Sequence, residues 1–130
     1  MANTPKLRII PLGGVDEIGK NMTVFEYDRD IIVVDCGSMF PKDDMLGIDL
    51  VIPDASYLVA NKERVRGYVF THGHEDHIGA VPYVVSQVPA PLYGSRLTLA
   101  LIENKLREHH FSGVPLIPVE ARQVIQLGCV

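Results

Sequence analysis

Apolar and polar positions along this chain follow two periods, first strand-like and then alternately strand-like and helical. Residues 7–12 are rich in Ile and Leu and are closed by Gly13 and Gly14, which predicts a first strand. Residues 21–27 alternate loosely through Val24, Phe25 and Tyr27. The polar run Asp28-Arg29-Asp30 predicts a turn, and the β-branched run 31–34 a buried strand. Residues 36–53 form a long connection punctuated by Gly37, Pro41, Gly47 and Pro53, and a loop of that length in a compact domain is usually functional. A short helix is expected over 55–61, a strand over 66–71, a helix over 78–88 with Pro82 tolerated near its start, and a strand over 90–93. Ser95 is a good N-cap, and Leu99, Ile102 and Leu106 carry a helical spacing towards His110. Two further strands are expected over 114–119 and 123–127. Strands followed by alternating strands and helices imply an α/β fold, with a mixed β-sheet carrying helices on one face.

Composition narrows the class. At 130 residues, 47% hydrophobic and 22% charged, the chain can bury a real core and is neither disordered nor a coiled coil. Its apolar runs fall short of the roughly 18–20 residues of a membrane span, so no membrane association is expected. The first six residues lack the apolar stretch of a secretory signal and are expected to be a flexible N-terminus preceding one domain over 7–130. Cys36 and Cys129 cannot build a disulfide framework. They are expected to be small buried hydrophobes in a reducing, cytoplasmic setting. Net charge is −4, but residues 1–60 carry five basic and ten acidic groups and residues 61–130 seven and six. An acidic chain binds phosphates poorly unless something local reverses the sign, as a bound cation would.

Such a cation site is visible in Thr71-His72-Gly73-His74-Glu75-Asp76-His77, which holds three of the five histidines between a predicted strand and a predicted helix. Imidazole and carboxylate suit borderline divalent ions such as zinc. Side chains two apart in an extended segment point the same way, so His72 and His74 can share one ion. Asp76 and His77, one turn later, can serve a second. Two ions about 3.5–4 Å apart form the clamp used to hydrolyse phosphate esters. Glu75 is expected to face outward or to support a ligand. His109 and His110 sit near a predicted helix end, where the dipole favours a cation, and are not expected to ligate.

The run from His72 to His77 has the H-x-H-x-D-H pattern and resembles the metallo-β-lactamase fold. Residues 13–22 (Gly13-Gly14-Val15-Asp16-Glu17-Ile18-Gly19-Lys20-Asn21-Met22), Val34-Asp35-Cys36-Gly37, the loop from Phe40 to Asp54 and residues 98–106 are similar to the beta-CASP ribonucleases of the ribonuclease J family. The resemblance spans about 7–129 and implies the N-terminal half of an αβ/βα sandwich, cut before the beta-CASP insertion. It implies that His72 and His74 hold one metal, Asp76 and His77 the other, and that Asp35 orients a ligand histidine from beneath. A later histidine, a bridging aspartate and a distant final histidine complete the family's site and are not assignable here. The resemblance further implies two divalent ions (zinc first, manganese second) and an RNA substrate cleaved in exo- or endonucleolytic mode during RNA processing and decay. It also implies a homo-oligomeric full-length protein. Asp76 and His77 are the residues expected to carry the chemistry. Gly14, Asn21 and Phe40 are expected at the substrate rim, with Phe40 either stacking on a base or packing in the core. Lys20 and Lys42 are candidates for phosphate contact or plain surface charge. The helix after His77 is expected to turn its N-terminus towards an anion. The alternatives are a small-molecule thioesterase or lactonase sharing the ion pair, and a non-catalytic fragment; the 130-residue chain alone is expected to be inactive.

Overall fold

The computed structural model describes residues 4–130; of the expected flexible N-terminus, residues 1–3 lie outside the described residues, and Thr4–Lys6 are exposed without regular structure. Six strands form one sheet in the order β1 (Leu7–Gly13), β2 (Met22–Tyr27), β3 (Asp30–Val34), β4 (Val65–Val69), β5 (Leu92–Gly94) and β6 (Leu116–Pro118). The first three are antiparallel neighbours and the last three join in parallel, so the sheet is mixed as the pattern implied. Helices α1 (Ser56–Ala60), α2 (Glu75–Ile78), α3 (Val81–Val85) and α4 (Arg96–Glu108) fill the connections between the parallel strands.

One face of the sheet carries the core. Met22, Val24, Ile31, Val33, Tyr68 and Leu92 are buried from the strands, and Leu58, Ile78, Val84, Leu99, Ile102 and Leu106 from the helices. The expected stripe of α4 is thus the stripe that packs, and Ser95 caps it by accepting from Thr98 N at 3.2 Å. In β4 the register shifts so that Ile31 pairs with Val65 and Ile32 with Gly67. The extra residue, Arg66, bulges out, which lets Val65 and Tyr68 both face inward although they are three apart. Tyr68 is fully buried and donates its hydroxyl to Val88 O at 2.8 Å. Burial raises its ionisation well above the tyrosine range.

Two sequence expectations fail here. The helix expected over 78–88 is shortened to α3, Val81–Val85, and is separated from α2 before it at Gly79-Ala80. Continuing α2 would need Ala80 N on Asp76 O, but Ala80 N donates to Cys36 O at 3.0 Å and Asp76 O is taken by Asn21. Pro82 has no N–H to offer Ile78. His77 therefore lies in the last turn of α2, and the next helix, α3, starts only at Val81 with a proline in its first turn. The strand expected over 123–127 does not form either. The chain turns at Ala121-Arg122, Arg122 adopts a positive φ of 66°, and residues 123–127 find no ladder partner.

What holds that last stretch is a single carboxylate. Asp30 Oδ1 accepts from Arg66 Nε at 2.5 Å and Oδ2 from Cys129 N at 2.6 Å, while Gly128 packs so closely that a Cβ there would meet Oδ2 at 2.3 Å. Leu127 is buried beside this clasp; Cys129, expected to be buried, is exposed, since its residue sits at the rim of the fold where the chain turns. The Cys129 thiol first, then the Arg66 guanidinium and the Cys129 N–H, hold the Asp30 carboxyl down from 3.8 to about 2. A depressed acid stabilises the fold above its unfolded pKa and loses that contribution as pH falls through its folded one. Amide exchange at 127–130 is therefore expected to stay protected down to about pH 4 and to accelerate between pH 4 and 2. Asp30→Asn is expected to exchange fast already at neutral pH, with no further change across that window.

Candidate metal centre

The C-terminal ends of β1, β3 and β4 lie at one edge of the sheet, since β1 and β3 both run antiparallel to β2 and β3 runs parallel to β4. Open α/β sheets bind ligands at this edge. The loops leaving those strands are residues 14–21, the stretch from Asp35, and the segment Phe70–His74, which leads into α2.

Helix α2 is only four residues long and has too few internal hydrogen bonds to stand alone. The two neighbouring loops hold it through its carbonyls. Glu75 O accepts from Ser38 N at 3.1 Å and Ser38 Oγ at 3.2 Å, Asp76 O from Asn21 N at 3.1 Å and Asn21 Nδ2 at 3.0 Å, and His77 O from Cys36 N at 2.8 Å. Such backbone-to-backbone contact leaves no room for side chains. A Cβ on Gly37 would fall 1.6 Å from Asp76 O, and one on Gly79 2.0 Å from Ser38 Oγ. Gly14 has φ +86°, and a Cβ there would meet Asn21 Oδ1 at 2.6 Å. Of the residues expected at the rim, Asn21 thus braces α2, and Gly14 lies against the Asn21 side chain. Asn21 Nδ2 also lies 3.4 Å from both Asp76 Oδ2 and His77 Nε2.

On this platform one ligand atom each from His72, Asp76 and His77 lies within 4.8 Å of the others. His74 is the N-cap residue of α2, and its ring stands edge-on to His72 with centroids 4.6 Å apart; the His72 and His77 centroids are 4.0 Å apart. All four expected ligands are therefore neighbours, but the tightest cluster takes one residue from the extended segment and two from the helix rather than following sequence pairs. A Cβ on Gly73 would meet Leu101 Cδ1 at 2.6 Å, so this glycine lets the segment lie against α4.

Asp35 sits beneath the cluster, 5% exposed, with a positive φ of 63° that an Asp tolerates. Its Oδ1 accepts from Thr71 N at 2.8 Å, and its Oδ2 meets Thr71 Oγ1 at 2.8 Å and His77 Nδ1 at 2.7 Å. A carboxylate only accepts, so His77 carries its proton on Nδ1 and keeps the Nε2 lone pair for a ligand. The donor set (imidazole nitrogens with a carboxylate, one ring held by a buried acid) fits a zinc-like or manganese-like ion.

The remaining candidates have other partners. Glu75 is ion-paired to Lys105, and Lys20 to Glu17 at 3.3 Å. His109 bonds Lys105 O at 3.0 Å and Tyr83 Oη at 3.2 Å, a link between α4 and α3 in keeping with its helix-end position. Phe40 is 78% exposed, not core, and with Ile18, Met39, Glu75 and Asp76 it lines a cavity of about 240 Å³. A larger cavity of about 500 Å³, between residues 52–60 and α3, contains no histidine or cysteine. Cys36 is buried, and desolvation pushes its thiol far above the usual range, so it is inert. Two contributors escaped the sequence reading. Ser38 lay inside an unstructured loop with no local signal, and Thr71 stood beside the motif as the hydroxyl nearest two rings.

Substituting Gly37 by Ala must displace backbone rather than a flexible side chain, and is expected to cost about 3 kcal/mol or more in denaturant unfolding. Gly47→Ala, at φ +78° with nothing within 4 Å, is expected to cost only about 1–2 kcal/mol.

Comparison with known proteins agrees with this geometry. Residues 15–128 match the metallo-beta-lactamase superfamily. Over 101 residues, 78% of the chain, it is 57% identical to Ribonuclease J 2 of Staphylococcus aureus strain MRSA252 and 56% identical to Ribonuclease J 2 of Staphylococcus saprophyticus. It spans 18% of the length of either relative. Among solved structures it superposes on a protein of unknown function from Enterococcus faecalis V583 with TM-score 0.66 and 17% identity, covering 94% of this chain and 35% of that one. The metallo-beta-lactamase fold protein YhfI from Bacillus subtilis gives TM-score 0.55 and 19% identity, covering 95% and 50%. Among the described residues, no helix is long and apolar enough to cross a membrane. With the family match covering most of its length and the same fold in its neighbours, the chain belongs to the metallo-beta-lactamase superfamily.

Proposed function

We propose that this chain is the metal-binding N-terminal segment of a ribonuclease that hydrolyses RNA phosphodiesters with two divalent ions, zinc first and manganese second. The observation that carries the reading is the convergence of His72, Asp76 and His77 within 4.8 Å over a buried Asp35, in a chain more than half identical to proteins named Ribonuclease J 2. His72 and His74 would hold one ion and Asp76 and His77 its neighbour. When bound, such ions lower the pKa of water and neutralise charge on a phosphate.

The chain's own residues supply the rest. Asp35 holds the His77 ring by its Nδ1 proton. Asn21 holds the first turn of α2, so that the Asp76 carboxylate faces the imidazoles and can accept a proton from a water placed there. Phe40 and Ile18, exposed beside Asp76, offer an apolar wall for a nucleobase. The acidic N-terminal half repels polyanions, so affinity for RNA depends on cations held at the cluster. The full-length protein acts in the cytoplasm, as a homo-oligomer, in exo- or endonucleolytic mode.

In calorimetric titration with zinc or manganese, the chain is expected to bind metal. His77→Ala and Asp76→Ala are expected to weaken binding by about 100-fold and Asp35→Asn by about 10–100-fold. In a protein carrying this segment at the length of its relatives, 5′-phosphorylated RNA is expected to be hydrolysed, with loss on chelation. Turnover of thioesters or lactones instead of RNA would replace this reading with a small-molecule hydrolase.

A further inference from the structure

The proton count around Asp35 reaches a second ring. Thr71 Oγ1 lies 2.8 Å from Asp35 Oδ2 and 3.0 Å from His72 Nδ1. A hydroxyl has one proton to give, and an ionised carboxylate has none. Two oxygens at 2.8 Å without a proton between them repel, and only Thr71 can supply that proton. The hydroxyl is therefore committed to Asp35 and turns lone pairs towards His72. Its Nδ1 must carry the hydrogen, which leaves the lone pair on Nε2.

The geometry points to Thr71 as a positioning residue. It relays the acceptor demand of the buried Asp35 to His72 and fixes that ring, like His77, in the Nδ1–H tautomer. One carboxylate thereby sets two imidazoles, His77 directly and His72 through a hydroxyl. The benefit of this arrangement rests on the metal reading above, since an ion takes the Nε2 lone pair. The alternative, in which Thr71 donates to His72, leaves the 2.8 Å oxygen pair without a hydrogen and lets His72 protonate on Nε2, closing it to a ligand. Thr71 Oγ1 is 3.5 Å from His77 Nδ1, too far to compete with Asp35 Oδ2 at 2.7 Å.

The test is long-range ¹H–¹⁵N correlation of the ¹⁵N-labelled, metal-free chain at about pH 8.5, two units above the ordinary histidine pKa. The native chain is expected to show His72 and His77 both as Nδ1–H. In Thr71→Val, His72 is expected to move to Nε2–H or a mixture while His77 stays; Thr71→Ser is expected to restore the native pattern. In a parallel zinc titration, valine is expected to weaken binding by about 10–100-fold and serine by less than about threefold. A valine variant that loses thermal stability but keeps His72 as Nδ1–H would mean a merely structural hydroxyl and overturn the inference. Should valine prevent folding, the native and serine spectra decide, and Nε2–H at His72 in either overturns it. Because the spectra need no metal, a chain with both rings Nδ1–H that binds no zinc would sink the metal reading alone.

Discussion

The site depends on a helix that cannot hold itself. Four residues give α2 almost no internal hydrogen bonding, and an isolated helix of that length is unfavourable in water. Its shape is imposed by donors from elsewhere: Ser38 on Glu75 O, Asn21 on Asp76 O and Cys36 on His77 O. Three successive carbonyls are claimed by two loops, which are themselves joined by Lys20 N on Ser38 O and Gly37 N on Asn21 O. The result is a small piece of backbone lattice in which two of the three side chains of the ligand cluster are mounted. Close approach is possible only where no Cβ intrudes, which explains why glycine stands at positions 37 and 79.

Electrostatics follows from that lattice. Asp35 leaves β3 in a left-handed conformation and is nearly buried, so its charge must be met by donors at short range. It receives three: the Thr71 amide, the Thr71 hydroxyl and the His77 ring. Satisfying the acid also prepares a ligand, because the ring proton that His77 gives to Asp35 leaves its Nε2 lone pair free. Asp30 at the other end of β3 shows the same economy, one carboxylate binding Arg66 of the bulge and the backbone of Cys129. Both acids flank the most buried strand of the sheet, where an unpaired charge would be most costly.

Legibility in the sequence was uneven for identifiable reasons. The β-branched run 31–34 and the 99, 102, 106 spacing encode burial directly, through period, and both elements form where the pattern placed them. The break between α2 and α3 was invisible because the partners that cause it, the Cys36 carbonyl that accepts from Ala80 N and the Asn21 amides that donate to Asp76 O, are more than forty residues away in sequence. Residues 123–127 carry the β-branched pair Val124-Ile125 that suits a strand, but a strand needs a free edge in register, and the chain is instead clasped to Asp30. Asn21, expected at the substrate rim, is a brace, and nothing local reveals that its amides reach Asp76 O fifty-five residues away.

The chemistry, in contrast, was set by composition at short range. Three imidazoles and a carboxylate in a six-residue run just after a strand leave few ways to avoid one another, so the sequence alone determined that these groups share a locus and which residues they are. Tertiary structure decided which atoms face inward. Tautomer, ring orientation and the grouping of His72 with Asp76 and His77 depend on Asp35 and Thr71 meeting across two parallel strands. Hydrogen bonds between segments distant in sequence are fixed only when the sheet brings their ends together.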